Sequence, residues 1–206
     1  MRYLEVRKQL APFIVFSIDD FRKVDPQMDR RRLTEWQEKG YIQKVRRGYY
    51  VFTDFALNES TIFLVANKIY QPSYISFETA LSHYHFIPES VFALTSATPK
   101  KTATFTASLG TFVYHTLKKS QMFGYTLLPH DSQRIRIAYP EKAILDYLYF
   151  RRDLKTADDF FGLRMNRDAM RAAIKKTRFM HYLRMFGGVS FQRRVKIFLK
   201  AYRILV

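Results

Sequence analysis

Apolar and polar positions change period several times along the chain, and each change marks an element. Ser17-Ile18-Asp19-Asp20 has the spacing of a capping box and predicts a short helix to about Val24. Asp25-Pro26 joins a good N-cap to a proline at the first helical position, so a further helix is expected from there to Lys39, stopped by Gly40. Tyr41-Ile42-Gln43-Lys44-Val45 and Tyr49-Tyr50-Val51-Phe52 are rich in β-branched and aromatic residues and flank Arg46-Arg47-Gly48. They predict a hairpin with two arginines at its tip. Residues 1–52 therefore read as helix, helix, helix, hairpin, and a composition shift near Thr53-Asp54 suggests a boundary between segments 1–54 and 55–206.

Beyond the boundary the pattern is mixed. Ala56 to Tyr70 is expected to be helical, with Ile62, Val65, Ala66 and Ile69 at spacings of three and four, ended by Pro72. Ser76 to His85 reads as a second helix. Strands are expected at Val91–Ser96, Thr102–Thr106, Gly110–His115 and Gly124–Leu128, and the alternation Arg134-Ile135-Arg136-Ile137-Ala138 predicts another, half-buried. Pro140-Glu141 opens a helix with Ala143, Ile144, Tyr147 and Leu148 on one face. Asn166 is expected to cap a helix through Phe186, broken by Gly187-Gly188, and Ser190 to cap the last one. The fold class is α+β: three helices and a hairpin, then a mixed α/β body with a helical C-terminus.

Three short helices followed by a basic hairpin is the order of a winged helix-turn-helix. On the third helix Leu33 and Trp36 share a face that must be buried. Gln27, Arg31 and Thr34 then point the opposite way, with Arg30 and Arg32 on the flanks. Such a helix can seat itself by its apolar stripe and offer Arg, Gln and Thr to base edges in a major groove. Lys44, Arg46 and Arg47 on the hairpin would meet phosphates or the adjacent minor groove. The same arginines could also form a solvated face paired with Glu35 and Glu38.

Charge sharpens this picture. The 206 residues carry 35 Lys+Arg against 18 Asp+Glu, a formal net of +17. Residues 1–50 hold 12 basic and 7 acidic groups, residues 51–130 hold 5 and 4, and residues 131–206 hold 18 and 7. An anionic partner should meet the two ends. In the last helix Phe191, Val195, Phe198, Leu199 and Tyr202 form one stripe and Arg193, Lys196, Lys200 and Arg203 the opposite one, a secondary basic surface. A basic amphipathic helix of this kind can pack with a solvated outer face, present a nucleic-acid or partner surface, or lie on a membrane, and packing is the first expectation.

Other chemistry finds little support. There is no cysteine, hence no disulfide framework or thiolate site, which suits a reducing cytoplasm. No apolar run reaches the roughly 18 residues of a membrane span, and the N-terminus lacks the apolar core of a signal peptide. His83 and His85 would diverge on a helix and cannot share a metal there. Pro140-Glu141-Lys142 superficially resembles nuclease motifs, but those need an acid and a lysine alternating on a strand. No phosphate-cradling glycine loop or nucleophile elbow is present. No catalytic residue, cofactor or metal site is assigned. A basic nucleic-acid-processing enzyme and an RNA-binding accessory protein stay as alternatives to a DNA-binding regulator.

Three segments in order resemble a known family. Gly40-Tyr41-Ile42 with Arg46-Arg47-Gly48-Tyr49-Tyr50-Val51 resembles the N-terminal domain of AbiEi-type antitoxins of type IV toxin–antitoxin systems. Tyr74-Ile75-Ser76-Phe77-Glu78-Thr79-Ala80-Leu81-Ser82-His83-Tyr84 is similar to the following segment, where a short strand leads into a helix. Tyr139-Pro140-Glu141-Lys142-Ala143-Ile144-Leu145-Asp146 is similar to its Pro-Glu-Lys-Ala helix start. The resemblance covers about residues 15 to 150. It implies a bacterial repressor that binds double-stranded DNA upstream of its own operon. Helix-turn-helix proteins often read inverted repeats as dimers, so a homodimer on DNA is a further expectation, although the sequence shows no dimer seam. It also implies opposition to a nucleotidyltransferase-like toxin, without requiring a stable complex. By the same resemblance, Gln27, Arg30, Arg31 and Thr34 on the helix and Arg46 and Arg47 on the hairpin would touch DNA.

Overall fold

A computed structural model describes residues 3–88 and 92–204. The expected capping box forms. Ser17 Oγ accepts from the Asp20 N–H at 3.1 Å and Asp20 Oδ2 accepts from the Ser17 N–H at 2.9 Å, opening α2 (Ile18–Val24) behind α1 (Tyr3–Gln9). The third helix is shorter than expected. Asp25 closes α2 instead of opening the next helix, and α3 is Arg31–Glu38. Two carboxylates explain the delay: Asp25 takes the Arg32 guanidinium at 2.8 Å, and Asp29 Oδ1 accepts from the Arg31 N–H at 2.9 Å. Asp29, rather than Asp25, therefore satisfies a free backbone donor at the helix start.

The hairpin forms as β2 (Ile42–Arg46) and β3 (Tyr49–Phe52) around the turn Arg47-Gly48, with Gly48 at φ +84°. A short strand not expected from the pattern, β1 (Val15–Ser17), joins it to make an antiparallel sheet in the order β1-β3-β2. Its three residues, the last of them the capping serine, are too few to show an alternation. Helices and sheet bury Val6, Leu10, Phe16, Phe21, Leu33, Trp36 and Ile42 in a core of their own, with Phe21 stacked on Trp36 at 5.2 Å.

The body is built on a six-stranded mixed sheet: β4 (Tyr74–Ile75), β5 (Ala93–Thr98), β6 (Ala103–Ala107), β7 (Gly110–Thr116), β8 (Tyr125–His130) and β9 (Gln133–Ala138), in the order β6-β7-β5-β4-β9-β8. The pairs β4/β9 and β5/β7 are parallel and the rest antiparallel. Val91, expected to begin a strand, lies outside the described residues. α4 (Glu59–Ile69), capped by Asn58, packs on β9, while α5 (Phe77–His83) packs on β5 and on α6 (Pro140–Phe150).

The C-terminal helices depart from the expected pair. Thr156 caps an additional short helix, α7 (Ala157–Phe161). Asn166 does cap a helix, but α8 (Arg167–Ala173) stops at Ile174 and α9 (Lys176–Phe186) starts afresh. Buried Ile174 is extended there, and the Lys175 N–H donates to Glu141 Oε1 at 2.7 Å, holding the break against α6. Gly187 and Gly188, both at positive φ, end α9 as expected, and Gly188 rather than Ser190 caps α10 (Val189–Ala201). The whole is an α+β protein. Among the described residues no helix is long and apolar enough to cross a membrane.

The N-terminal unit is docked on the body. Val15, Val45 and Val51 join the large core, Gln133 Nε2 donates to the Pro12 carbonyl at 2.6 Å, and Lys68 pairs with Asp20 at 3.4 Å.

Candidate nucleic-acid interface

A groove of about 550 Å³ opens between the start of α2, the N-terminal half of α3 and the β2–β3 turn. Arg22, Arg30, Lys44 and Arg47 line it together with Thr34, against the single acid Asp19. Asp19 is 82% exposed and reaches Arg22 only at 3.5 Å, so it offsets little of that charge. Leu33 and Tyr50 close the floor, and the Gly48 carbonyl accepts from the Ile18 N–H at 3.0 Å, tying the turn to the start of α2. Four cations thus converge on one concavity from three directions.

The outward face of α3 is divided along its length. Arg31 and Thr34 are exposed at the N-terminal half, while Glu35 and Glu38 lie beyond them, with Glu35 paired to Lys39 at 2.6 Å. The lysine hydrogen bond holds the Glu35 carboxyl below its ordinary range. An anion therefore meets favourable charge only at the N-terminal end of the helix.

The eight residues expected to touch DNA are not all placed alike. Arg30, Thr34, Lys44 and Arg47 line the groove, and Arg31 is exposed beside it. Gln27 is exposed but belongs to the turn before α3, because that helix starts later than expected. Arg32 is half-buried and held by Asp25. Arg46 is turned away from the tip: its Nη1 donates to the Ile69 carbonyl, and its guanidinium lies over Phe105 at 4.4 Å and Tyr70 at 5.1 Å. The cause is a bulge between Lys44 and Arg46, which inserts an extra residue and re-aims the side chains that follow. Arg46 is a tie between the N-terminal unit and the body, not an exposed cation. Sequence reasoning missed Arg22, whose signal is a place on the polar side of the capped helix, next to buried Phe21.

On α10, Arg193, Lys196 and Lys200 are exposed, and among the described residues none of them pairs with a carboxylate. Arg203 follows the end of the helix at φ +48°, off its stripe, with its carbonyl held by Arg171 at 2.9 Å.

The Pro140-Glu141-Lys142 segment is the first turn of α6, and both charged side chains are fully buried. Lys142 Nζ pairs with Asp146 and donates to Tyr74 Oη at 2.7 Å; Tyr74 Oη and Ser76 Oγ donate to Asp146 Oδ2 at 2.9 and 2.7 Å. Burial lowers the Lys142 ammonium and raises the Asp146 carboxyl, each opposed by the partner's charge. His83 binds Glu59 at 3.0 Å rather than its near neighbour His85.

No protein-family model and no curated protein matches the chain. Among solved structures, the crystal structure of the RV2827C protein from Mycobacterium tuberculosis is similar, with a TM-score of 0.61 at 13% identity over 98% of this chain and 77% of that one. At that identity the likeness speaks for the fold alone, an α+β arrangement shared over nearly the whole chain.

Proposed function

We propose that this protein is a sequence-specific DNA-binding transcription regulator whose N-terminal unit acts as a winged helix. The observation that carries this reading is the groove in which Arg22, Arg30, Lys44 and Arg47 converge with Thr34 at the N-terminal end of α3. In helix-turn-helix proteins the N-terminal residues of the second helix reach base edges, and that end is the part of α3 whose charge admits DNA. Arg30, Arg31 and Thr34 are assigned to the major groove, and Lys44 and Arg47 to the phosphates that fix the register. The resemblance to AbiEi-type antitoxins supports a repressor of its own operon that opposes a nucleotidyltransferase-like toxin.

The test is fluorescence anisotropy with the duplex upstream of its own coding sequence against a scrambled duplex, from low to physiological salt. A preference of about a thousandfold that survives added salt is expected for operator binding. Equal and steeply salt-sensitive binding to both would reduce the groove to a generic basic surface.

A further inference from the structure

A second concavity lies in the body, away from the N-terminal groove. It measures about 480 Å³ and is formed by the end of α6, the turn that follows it and the first turns of α10. Its floor is apolar: Tyr149, Phe191 and Ile197, with the two rings edge to face at 5.5 Å and both braced by Phe186. Its rim is cationic: Arg152, Lys155, Arg193 and Arg194, and among the described residues no carboxylate lines it.

Nearby acids are already engaged. Asp153 is held by Arg151 at 2.6 and 3.0 Å, and Asp159 accepts from the backbone of Lys155 and Thr156 at 2.8 Å. Arg194 is fixed in place, donating to the Arg151 carbonyl at 2.8 Å and to the Leu148 carbonyl at 2.5 Å. Burial lowers its tendency to hold a proton and the charge of Arg152 adds to the effect, while the charge of Asp153 opposes both. Among the described residues Arg152, Lys155 and Arg193 have no carboxylate partner. Two of the cations lie over the floor's own rings, Arg152 over Tyr149 at 5.8 Å and Arg194 over Phe191 at 5.6 Å, whereas among the described residues Lys155 and Arg193 have neither a ring nor a carboxylate partner. Lys196 and Lys200 on α10 line no part of the pocket.

We propose that this pocket binds a nucleoside phosphate, with the base against Tyr149, Phe191 and Ile197 and the phosphates on Arg152, Arg193 and Lys155. The size falls within the range of small-molecule sites, about 300–1,000 Å³. An aromatic floor suits any planar base, and arginine forks match phosphate oxygens two at a time. The ligand is either a free nucleotide or an unpaired nucleotide within a nucleic-acid chain. The site stands independently of the N-terminal groove, whose residues do not line it.

The test uses the full chain and the fluorescent nucleotide N-methylanthraniloyl-ADP, displaced by unlabelled ADP, adenosine, pyrophosphate or a single-stranded tetranucleotide. Saturable binding is expected, with ADP displacing the probe about tenfold better than adenosine or pyrophosphate, because both halves of the site are needed. The double variant R152A/R193A should weaken binding roughly tenfold or more, and K196A/K200A, which removes the same charge, by less than about twofold. F191L, which keeps an apolar side chain in the floor, should weaken ADP but leave pyrophosphate unchanged. Stronger displacement by the tetranucleotide than by ADP would assign the site to a nucleotide within a chain, and the reverse to the free nucleotide; both uphold it. Equal weakening in the two double variants, displacement by pyrophosphate as strong as by ADP, or no saturation by millimolar probe would overturn the proposal.

Discussion

Arg46 and Arg47 are adjacent in the chain and have opposite fates. The residue types were legible, since two arginines beside a turn glycine mark a basic hairpin tip. Their directions were not, because a bulge re-aims Arg46 and its acceptor, the Ile69 carbonyl, lies 23 residues away. R46A should therefore lower the unfolding free energy by about 1–3 kcal/mol in urea denaturation, by stranding a carbonyl and removing the cation from over two rings. Asp20 gives a second residue-scale test. Burial opposes its charge, but the Ser17 hydrogen bonds and Lys68 outweigh that and hold the carboxyl below its ordinary 3.8. A carboxyl depressed in the folded state contributes stability above its unfolded pKa and loses it as pH falls through the lower folded value. D20N should be less stable than the parent at pH 7, and in thermal melts the difference should shrink as pH falls below the ordinary 3.8 of the carboxyl.

At the scale of elements, local signals located most starts and stops but not the partners that decide burial. The capping box at Ser17, the proline start of α6 and the Gly187-Gly188 break all follow from adjacent residues. The late start of α3 and the break between α8 and α9 depend on Arg32 and Glu141, which are not adjacent to the residues they hold. Periodicity put Ala143, Ile144, Tyr147 and Leu148 inside, and they are. It could not show that α9 and α10 pack against α6 as well, which leaves Lys142 and Asp146 buried. K142M alone should cost about 3–5 kcal/mol in chemical denaturation, since it leaves Asp146 buried without its cation. K142M/D146L should recover part of that stability, because an apolar pair of similar volume needs no compensation.

At the scale of the whole molecule, the α+β class was legible from the order of elements. The docking of the N-terminal unit was not: Val15, Val45 and Val51 give no sign in sequence that they complete a second core. The consequence is that the groove on the N-terminal unit and the α10 cations and second pocket on the body are tied together through Arg46, Gln133 and Lys68. Of these surfaces, the groove sets its convergent cations beside the N-terminal end of α3, where Arg31 and Thr34 are exposed, which is why we propose it for duplex DNA. The decisive measurement is the slope of log affinity against log salt on the duplex upstream of the coding sequence, for the parent, K44A/R47A, R46A and K196A/K200A. The slope of K44A/R47A should shrink by about one for each phosphate it no longer neutralises, while R46A and K196A/K200A keep the parent slope. A K44A/R47A slope equal to the parent's, or an equal reduction in all three variants, would contradict the assignment of the groove.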